Sequence, residues 1–452
     1  MKVNPDQSNV IHFNLKRDIP IVDYGEGIYL IDKDGKRYID ACSGPVAANI
    51  GQGVKEVADD MARQAARVAF AYRTQFSSEP IEQFASMIAK MAPEHLNRVF
   101  FTTSGSDATE IGARFARQYH LERGEEKRHL IVSRWLSYHG ITLDALSMSG
   151  LVMRRKHFAP TLVQYPKIPA CYCYRCPCHL EYPQCNIACA HKLEEAIHLA
   201  GPENVSAFIA EPVVGAAAGA ITPPPEYFPI IRDICSRYGV LMIVDEIMTG
   251  FGRTGANFAV DHWSVEPDMI AFAKGASAGY WPTAGIIVTD KLYSVLRDGS
   301  GVFSPGHTYS GTPLMGSVGV KVLEYIEKNR LVQHVANTGP YLMERLNSLR
   351  AHQIVGDVRG MGFFTGIEFV RDKATKAPFE FTEFSHLSGM IVAKSFENGL
   401  IVYPGGGTVD GFKGDHILVA PPLITTREEI DLITQKLDQS IAQVEQEVLA
   451  KA

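Results

Sequence analysis

Two short apolar runs in this sequence end in side chains of opposite charge. Leu241-Met242-Ile243-Val244 leads straight into Asp245-Glu246, and Met269-Ile270-Ala271-Phe272-Ala273 leads into Lys274-Gly275. Such continuous apolar runs are the pattern of parallel strands buried on both faces. In open α/β sheets, ligands collect just beyond the carboxyl ends of those strands. A carboxylate and an amine, 29 residues apart in the chain, are therefore delivered to one edge of a sheet. A lysine so placed can form a Schiff base with a carbonyl cofactor. An aspartate so placed can pair with a protonated pyridine nitrogen, which keeps a pyridine-based cofactor an electron sink. Neither residue is specific alone. A strand ending in aspartate is common in α/β proteins, and Lys-Gly is an ordinary helix end.

The run Asp245-Glu246-Ile247-Met248-Thr249-Gly250-Phe251-Gly252-Arg253-Thr254-Gly255, followed by Lys274-Gly275, resembles the signature of the class III aminotransferases. These are pyridoxal 5′-phosphate (PLP) enzymes of fold type I, and the resemblance extends from about Gly27 to Ile430. It implies Lys274 as the residue that carries PLP, Asp245 as partner of the ring nitrogen, and Ile247 against one ring face. Ser104-Gly105-Ser106 lies between a strand and a helix start, where backbone N–H groups and the helix dipole favour an anion. Gly105 there permits close approach of the backbone. In the family the matching residues hold the cofactor phosphate. Tyr138-His139-Gly140 resembles the tripeptide whose aromatic residue stacks on the ring. Glu211-Pro212 resembles a pair whose glutamate lies beside the cofactor, although a glutamate at a strand end also serves as a structural ion-pair partner. Gly306-His307-Thr308-Tyr309-Ser310-Gly311 resembles a segment that reaches into the neighbouring subunit, where Thr308 would bond the phosphate. The resemblance thus implies catalytic roles for Lys274, Asp245 and Glu211. It implies cofactor contacts from Ser104, Gly105, Ser106, Tyr138, His139, Asp245, Ile247, Lys274 and Thr308. It also implies a homodimer with shared active sites, acting on a small-molecule amine and a keto acid such as pyruvate.

One position departs from the pattern. Branches of the family that act on ornithine-like substrates or 4-aminobutyrate place an arginine three residues before a Pro-Pro pair, as a fork for a substrate carboxylate. Here the pair is Pro421-Pro422 and the position is Leu418; no arginine occurs from Asp372 to Thr426. The expected reaction is therefore transamination of a primary amine lacking an α-carboxylate. The alternative on the same scaffold is an ammonia- or phospho-lyase acting on an amino-alcohol phosphate or an amino-hydroxy-phosphonate, and after it an amino-acid epimerase. Arg154, Arg155, Lys156 and Lys413 are the candidates to hold such a dianion, and each has the alternative of simple solvation.

The elements that must position these residues follow from periodicity. Strands are expected at Val99–Thr103, Leu130–Ser133, Ala207–Glu211, Leu241–Asp245, Met269–Ala273 and Ala284–Thr289. They alternate with helices after Ser104 and over about 225–238, and this alternation predicts a mostly parallel sheet. The fold class is α/β, with a fold type I sheet of the seven-stranded kind between helices. A smaller α+β domain is built from both chain ends. The expected division is 1–60, 61–315 and 316–452, with a cysteine-rich insertion at about 166–190. An Asp34-Gly35 turn predicts a hairpin over 27–40. Helices are expected over 54–69, 81–91, 314–327, 331–350 and 384–398. Further strands are expected near 355–359, 362–369 and 400–403.

At 452 residues, with 46% apolar and 21% charged residues, the chain can bury a large core. A net charge of −6 without a basic block gives nucleic acid no electrostatic footprint. The start lacks an apolar leader, and the longest apolar stretch, Ala207 to Ile221, is interrupted by Glu211 and Pro212. No membrane segment is expected, and a cytoplasmic location follows by elimination. Cys171, Cys173, Cys176, Cys178, Cys185 and Cys189 crowd together, with His179 and His191 nearby. The Cys173-x-x-Cys176 and Cys185-x-x-x-Cys189 spacings suit zinc. The expectation is nevertheless reduced, packed thiols and no metal.

Overall fold

The computed structural model describes residues 1–303, 305–380 and 386–450. Seven strands form the central sheet. They are β1 (Leu96–Thr102), β2 (Leu130–Arg134), β3 (Lys167–Ile168), β4 (Val205–Ala210), β5 (Leu241–Asp245), β6 (Met269–Phe272) and β7 (Ala284–Thr289). Their spatial order is β1-β7-β6-β5-β4-β2-β3. Pairing is parallel from β6 through β5, β4 and β2 to β3. Only β7 runs against its neighbours β6 and β1. Because β7 opposes both, β1 ends on the same edge as the parallel strands.

The apolar runs alternate between two cores. Ile243, Ala207, Ala271 and Ile286 face one side, with Ala108, Ile111 and Phe115 of helix α1 (Gly105–Glu122). Met242, Val244, Phe208, Ile270 and Phe272 face the other side. There they meet Phe228, Ile231 and Ile234 of the helix Tyr227–Tyr238 and Met315, Val318 and Val322 of the helix Pro313–Lys328. Burial on both faces is why these strands read as unbroken apolar runs.

Two smaller sheets join the chain ends. Tyr29–Asp32 and Arg37–Asp40 form the expected hairpin, and Val22–Glu26 adds to its edge. Asp32 closes its turn by accepting Asp34 and Lys36 backbone N–H groups at 3.0 and 2.9 Å. Leu400–Ile401 pairs parallel with Arg37–Asp40, so residues near both termini share one sheet. The second sheet orders Val355–Met361, Phe364–Phe369, Asp415–Val419 and Tyr403–Gly406, all antiparallel.

Several expectations are adjusted. The stretch around 166–190 is not wholly an insertion, because Lys167–Ile168 supplies the edge strand β3 and Cys189 lies in the first turn of the helix Ala188–Ala200. The strand Asp415–Val419 has no counterpart among the sequence expectations; it carries Leu418, fully buried and paired with Gly366 and Tyr403. The helix expected over 384–398 is observed as Leu387–Glu397, and positions 384 and 385 lie outside the described residues. Among the described residues no helix is long and apolar enough to cross a membrane.

Candidate active site

The sheet delivers its chemistry along one edge. β4, β5 and β6 are adjacent, with Val244 opposite Ala210 and Asp245 opposite Ala271. Glu211, Asp245 and Lys274 therefore follow three consecutive parallel strands. On one side β2 leads to Tyr138 and His139; on the other, β1 leads to Ser104 and Gly105. Asp245, Glu211, Tyr138, His139, Gly105, Ser106, Ile247 and Lys274 all line one cavity of about 500 Å³.

Lys274 has a φ of 42°, in the left-handed region that costs a non-glycine residue of order 1 kcal/mol. That backbone turn leaves the strand and opens a short helical turn over Lys274–Ala276. Burial pulls the Lys274 ammonium down to about 8, against the pull of Asp245. Burial pushes the Glu211 carboxyl the other way, up to about 8; Arg134 opposes that shift and Asp245 adds to it. Arg134 Nη2 donates to the Glu211 carbonyl oxygen at 2.5 Å and stands 3.8 Å from Glu211 Oε2. The Tyr138 backbone N–H donates to Glu211 Oε1 at 3.3 Å.

Asp245 is held from two sides. His139 Nδ1 donates to Oδ2 at 2.7 Å, since a carboxylate can only accept, and the Ile247 N–H donates to Oδ1 at 3.1 Å. His139 is itself pinned: its N–H donates to Ser149 Oγ at 2.8 Å and its carbonyl accepts from Thr109 Oγ1 at 2.7 Å. Its Nε2 is buried without a hydrogen-bond partner among the described residues, as is Glu211 Oε2. Unpaired buried polar atoms are rare, and these two belong to residues of the cavity wall.

The turn after Asp245 is organised by Glu246, which is fully buried. Its carboxyl accepts from Thr249 Oγ1 and from the Val260 N–H at 2.7 Å, and burial raises it to about 7. Ile247 then rests against Gly105, where a methyl group would come within 2.9 Å of Ile247 Cδ1. Gly105 is the first residue of α1, capped by Ser104 Oγ accepting the Asp107 N–H at 3.2 Å. Ser106 Oγ accepts the Ile141 N–H at 3.0 Å and ties the helix start to the His139 loop. Arg253, also fully buried, donates to the Phe363 carbonyl at 3.2 Å, to the Pro421 carbonyl, and to Asn49 Oδ1 at 2.7 Å. The same motif thus clips both chain ends over the sheet edge.

Two expected residues stand elsewhere. Ser104 caps α1 and is not part of the cavity wall. Thr308 lines a separate cavity of about 750 Å³ with Phe70, Tyr72 and Arg73. Of the four cations named for a dianion, only Arg154 lines the cavity. Arg155 is spent on the Leu146, Ser147 and Ser149 carbonyls at 2.6 to 2.9 Å. Lys413 pairs with Glu380 at 2.9 Å, and Lys156 lies 5.5 Å from the Phe412 ring centroid. Leu418 is not part of the wall either. The smaller sheet instead contributes Tyr403, Pro404, Gly405 and Gly406, with His386 and Ser388 beside them. The Gly405-Gly406-Gly407 run after Tyr403 was the available signal for that wall. Eight cysteines are free, and among the described residues no group of three or more His, Cys, Asp or Glu is arranged to hold a metal ion.

The chain is similar to known proteins over most of its length. A family model described as aminotransferase class-III matches residues 14–441. An uncharacterized aminotransferase, YodT of Bacillus subtilis, is 39% identical over 97% of this chain and 98% of its own. A putrescine–pyruvate aminotransferase of Pseudomonas aeruginosa is 35% identical over 94% of this chain and 91% of its own. Among solved structures, a transaminase from the marine bacterium Virgibacillus superposes with a TM-score of 0.90, at 33% identity and 98% coverage of both chains.

Proposed function

The chain belongs to the class III aminotransferases, PLP-dependent enzymes, and we propose that it moves an amino group from a primary amine or ω-amino acid without an α-carboxylate to pyruvate or a similar keto acid. The observation that carries this reading is the set Lys274, Asp245 and Glu211 at the ends of three adjacent strands, walling one cavity. None of the relatives described above is named as a lyase or an epimerase.

The residues fit PLP. The cavity wall presents a lysine amine with a lowered pKa, a carboxylate fixed by His139, and a side-chain-free Gly105 at a helix start. Lys274 would hold the cofactor, Asp245 its ring nitrogen, and Gly105 and Ser106 its phosphate, at the helix start that Ser104 caps. Tyr138 and Ile247 would take its two faces, with His139 orienting Asp245. When bound, PLP supplies an electron sink for the carbon that bears the substrate nitrogen.

The chain's own groups then do the following. Lys274, as a neutral amine, would accept the proton from the substrate carbon that bears the nitrogen and would hold it for return. Its lowered pKa suits that work, since a general base is most effective near the working pH. Asp245, fixed by His139 Nδ1 at 2.7 Å, would hold a proton on the ring nitrogen. Glu211, with its carboxyl raised to about 8, is largely protonated at neutral pH and can donate a hydrogen bond into the cavity. With Leu418 packed inside the smaller sheet, no arginine fork reaches the cavity from that position, and this favours amine donors without an α-carboxylate. Two chains would share each site, with Thr308 of one completing the phosphate contacts of the other. Support comes from Thr308 standing away from its own chain's Lys274 cavity.

The test is a panel of amines incubated with the enzyme, with and without pyruvate, scored for alanine and ammonia. The expected result is alanine in step with amine loss, and a single turnover when pyruvate is omitted. Sustained ammonia release without pyruvate, and no alanine with it, would overturn the reading.

A further inference from the structure

A transaminase of this kind faces a recognition problem inside one cavity. The donor carries no α-carboxylate, whereas the keto acid always does, and both must use the same space in turn. A fixed, buried cation would serve the acid and be left desolvated and uncompensated beside the amine.

Arg154 meets both conditions. It is the only arginine or lysine besides Lys274 among the described residues of the cavity wall. It lies in the four-residue helix Val152–Arg155, and its side chain is exposed to solvent rather than sealed in. No carboxylate pairs with it among the described residues; its guanidinium carbon lies 5.5 Å from the centroid of the Tyr138 ring. Its neighbour Arg155 has the opposite fate, buried on three carbonyl oxygens. Arg154 is thus the cation left over for a ligand. It also stands beside the ring proposed to cover the cofactor, and so next to where substrates react. A planar guanidinium grips a carboxylate through two parallel hydrogen bonds. Because Arg154 is exposed to solvent, it escapes the desolvation cost of a sealed cation while the amine donor occupies the cavity.

We propose that Arg154 holds the carboxylate of the keto-acid acceptor and so determines that the acceptor is an acid; this rests on the transamination reading above. The donor's distal end is then free of any charge requirement. The position three residues before Pro421-Pro422 need not supply a fork, because Leu418 is packed inside the smaller sheet.

The test uses the PLP-loaded enzyme and propionate, which has the carboxylate of pyruvate without its carbonyl. Titration calorimetry should show propionate binding weakened about tenfold to a hundredfold in Arg154→Ala, the range expected for losing hydrogen bonds to a charged group. Arg154→Lys should keep part of the affinity, and Lys413→Ala, outside the cavity, should keep all of it. In steady state the Arg154→Ala defect should fall on KM for pyruvate rather than on kcat. Equal propionate affinity in wild type and Arg154→Ala, with Arg154→Gln agreeing, would overturn the proposal. So would a loss confined to kcat. A wild-type enzyme that binds propionate through Arg154 yet makes no alanine from any amine would instead refute the transamination reading and leave the carboxylate site standing.

Discussion

Lys274 and Glu211 are a base and an acid moved toward one another by the same cause. Burial disfavours charge on both, so the ammonium falls to about 8 and the carboxyl rises to about 8. For Lys274 the sign is simple: below about 8 the amine is protonated and cannot attack a carbonyl, and above it the neutral form dominates. Enzyme stripped of PLP should therefore recapture it at a rate that rises about tenfold from pH 6 to pH 7 and levels off above about 8. Visible absorbance follows the capture. A rate still climbing steeply past pH 9 would mean that the lysine titrates like a free one. Asp245→Asn keeps the shape of the side chain and removes its charge. Amino transfer should fall roughly 100- to 1000-fold, the scale of losing one fixed electrostatic partner, while PLP is still taken up. Wild-type turnover in that variant would remove Asp245 from the chemistry. At this scale the sequence was informative, because Asp245, Glu211 and Lys274 each close an apolar run. Arg154 was visible only as one charge among four. Its place on the cavity wall depends on the turn of a four-residue helix that no periodicity announces.

At the scale of elements, the segment from Asp245 to Gly255 does more than carry an aspartate. Glu246 closes the turn, Ile247 seats on Gly105, and Arg253 binds carbonyls and an amide from three distant segments. Gly105→Ala should push Ile247 aside and weaken PLP retention on dialysis, with the fold intact by circular dichroism. Unchanged retention would show the contact to be slack. Arg253→Ala leaves buried acceptors at Phe363, Pro421 and Asn49 without donors, and should cost on the order of 3 kcal/mol. Chemical denaturation reads that loss as a lower midpoint, and an unmoved midpoint would contradict the clip. The long two-sided strands were legible because burial on both faces leaves an unbroken apolar run. β3 was not, since it is two residues long between Pro166 and Pro169. Nor was Asp415–Val419, whose first two residues look polar. Asp415 is buried there only because Ser388 donates to it from both its N–H and its hydroxyl, at 3.0 Å each. A compensation supplied 27 residues away cannot be read from local pattern.

At the scale of the whole molecule, Phe70, Tyr72, Phe76, Val302 and Tyr309 are large apolar residues exposed on a single chain. Phe70, Tyr72 and Val302 line the cavity that holds Thr308. A contiguous exposed patch of this kind commonly marks an interface. Light scattering of active enzyme should give about twice the chain mass of 49.8 kDa, and a monomer at assay concentration would refute the shared site. None of the six clustered cysteines lines the Lys274 cavity, and elemental analysis should find no stoichiometric zinc. Zinc near one per chain, with unfolding on chelation, would reassign that stretch as a metal site. The proposed chemistry would start from one covalent link, between Lys274 and the cofactor carbonyl. Reducing the loaded enzyme with borohydride fixes a lysine-bound carbonyl permanently, and peptide mass spectrometry then finds it. The expected result is the pyridoxyl phosphate mass on the peptide containing Lys274 and no other, with none on Lys274→Ala. A tag on a different lysine, or no tag on protein that turns over amine and pyruvate, would contradict the central claim.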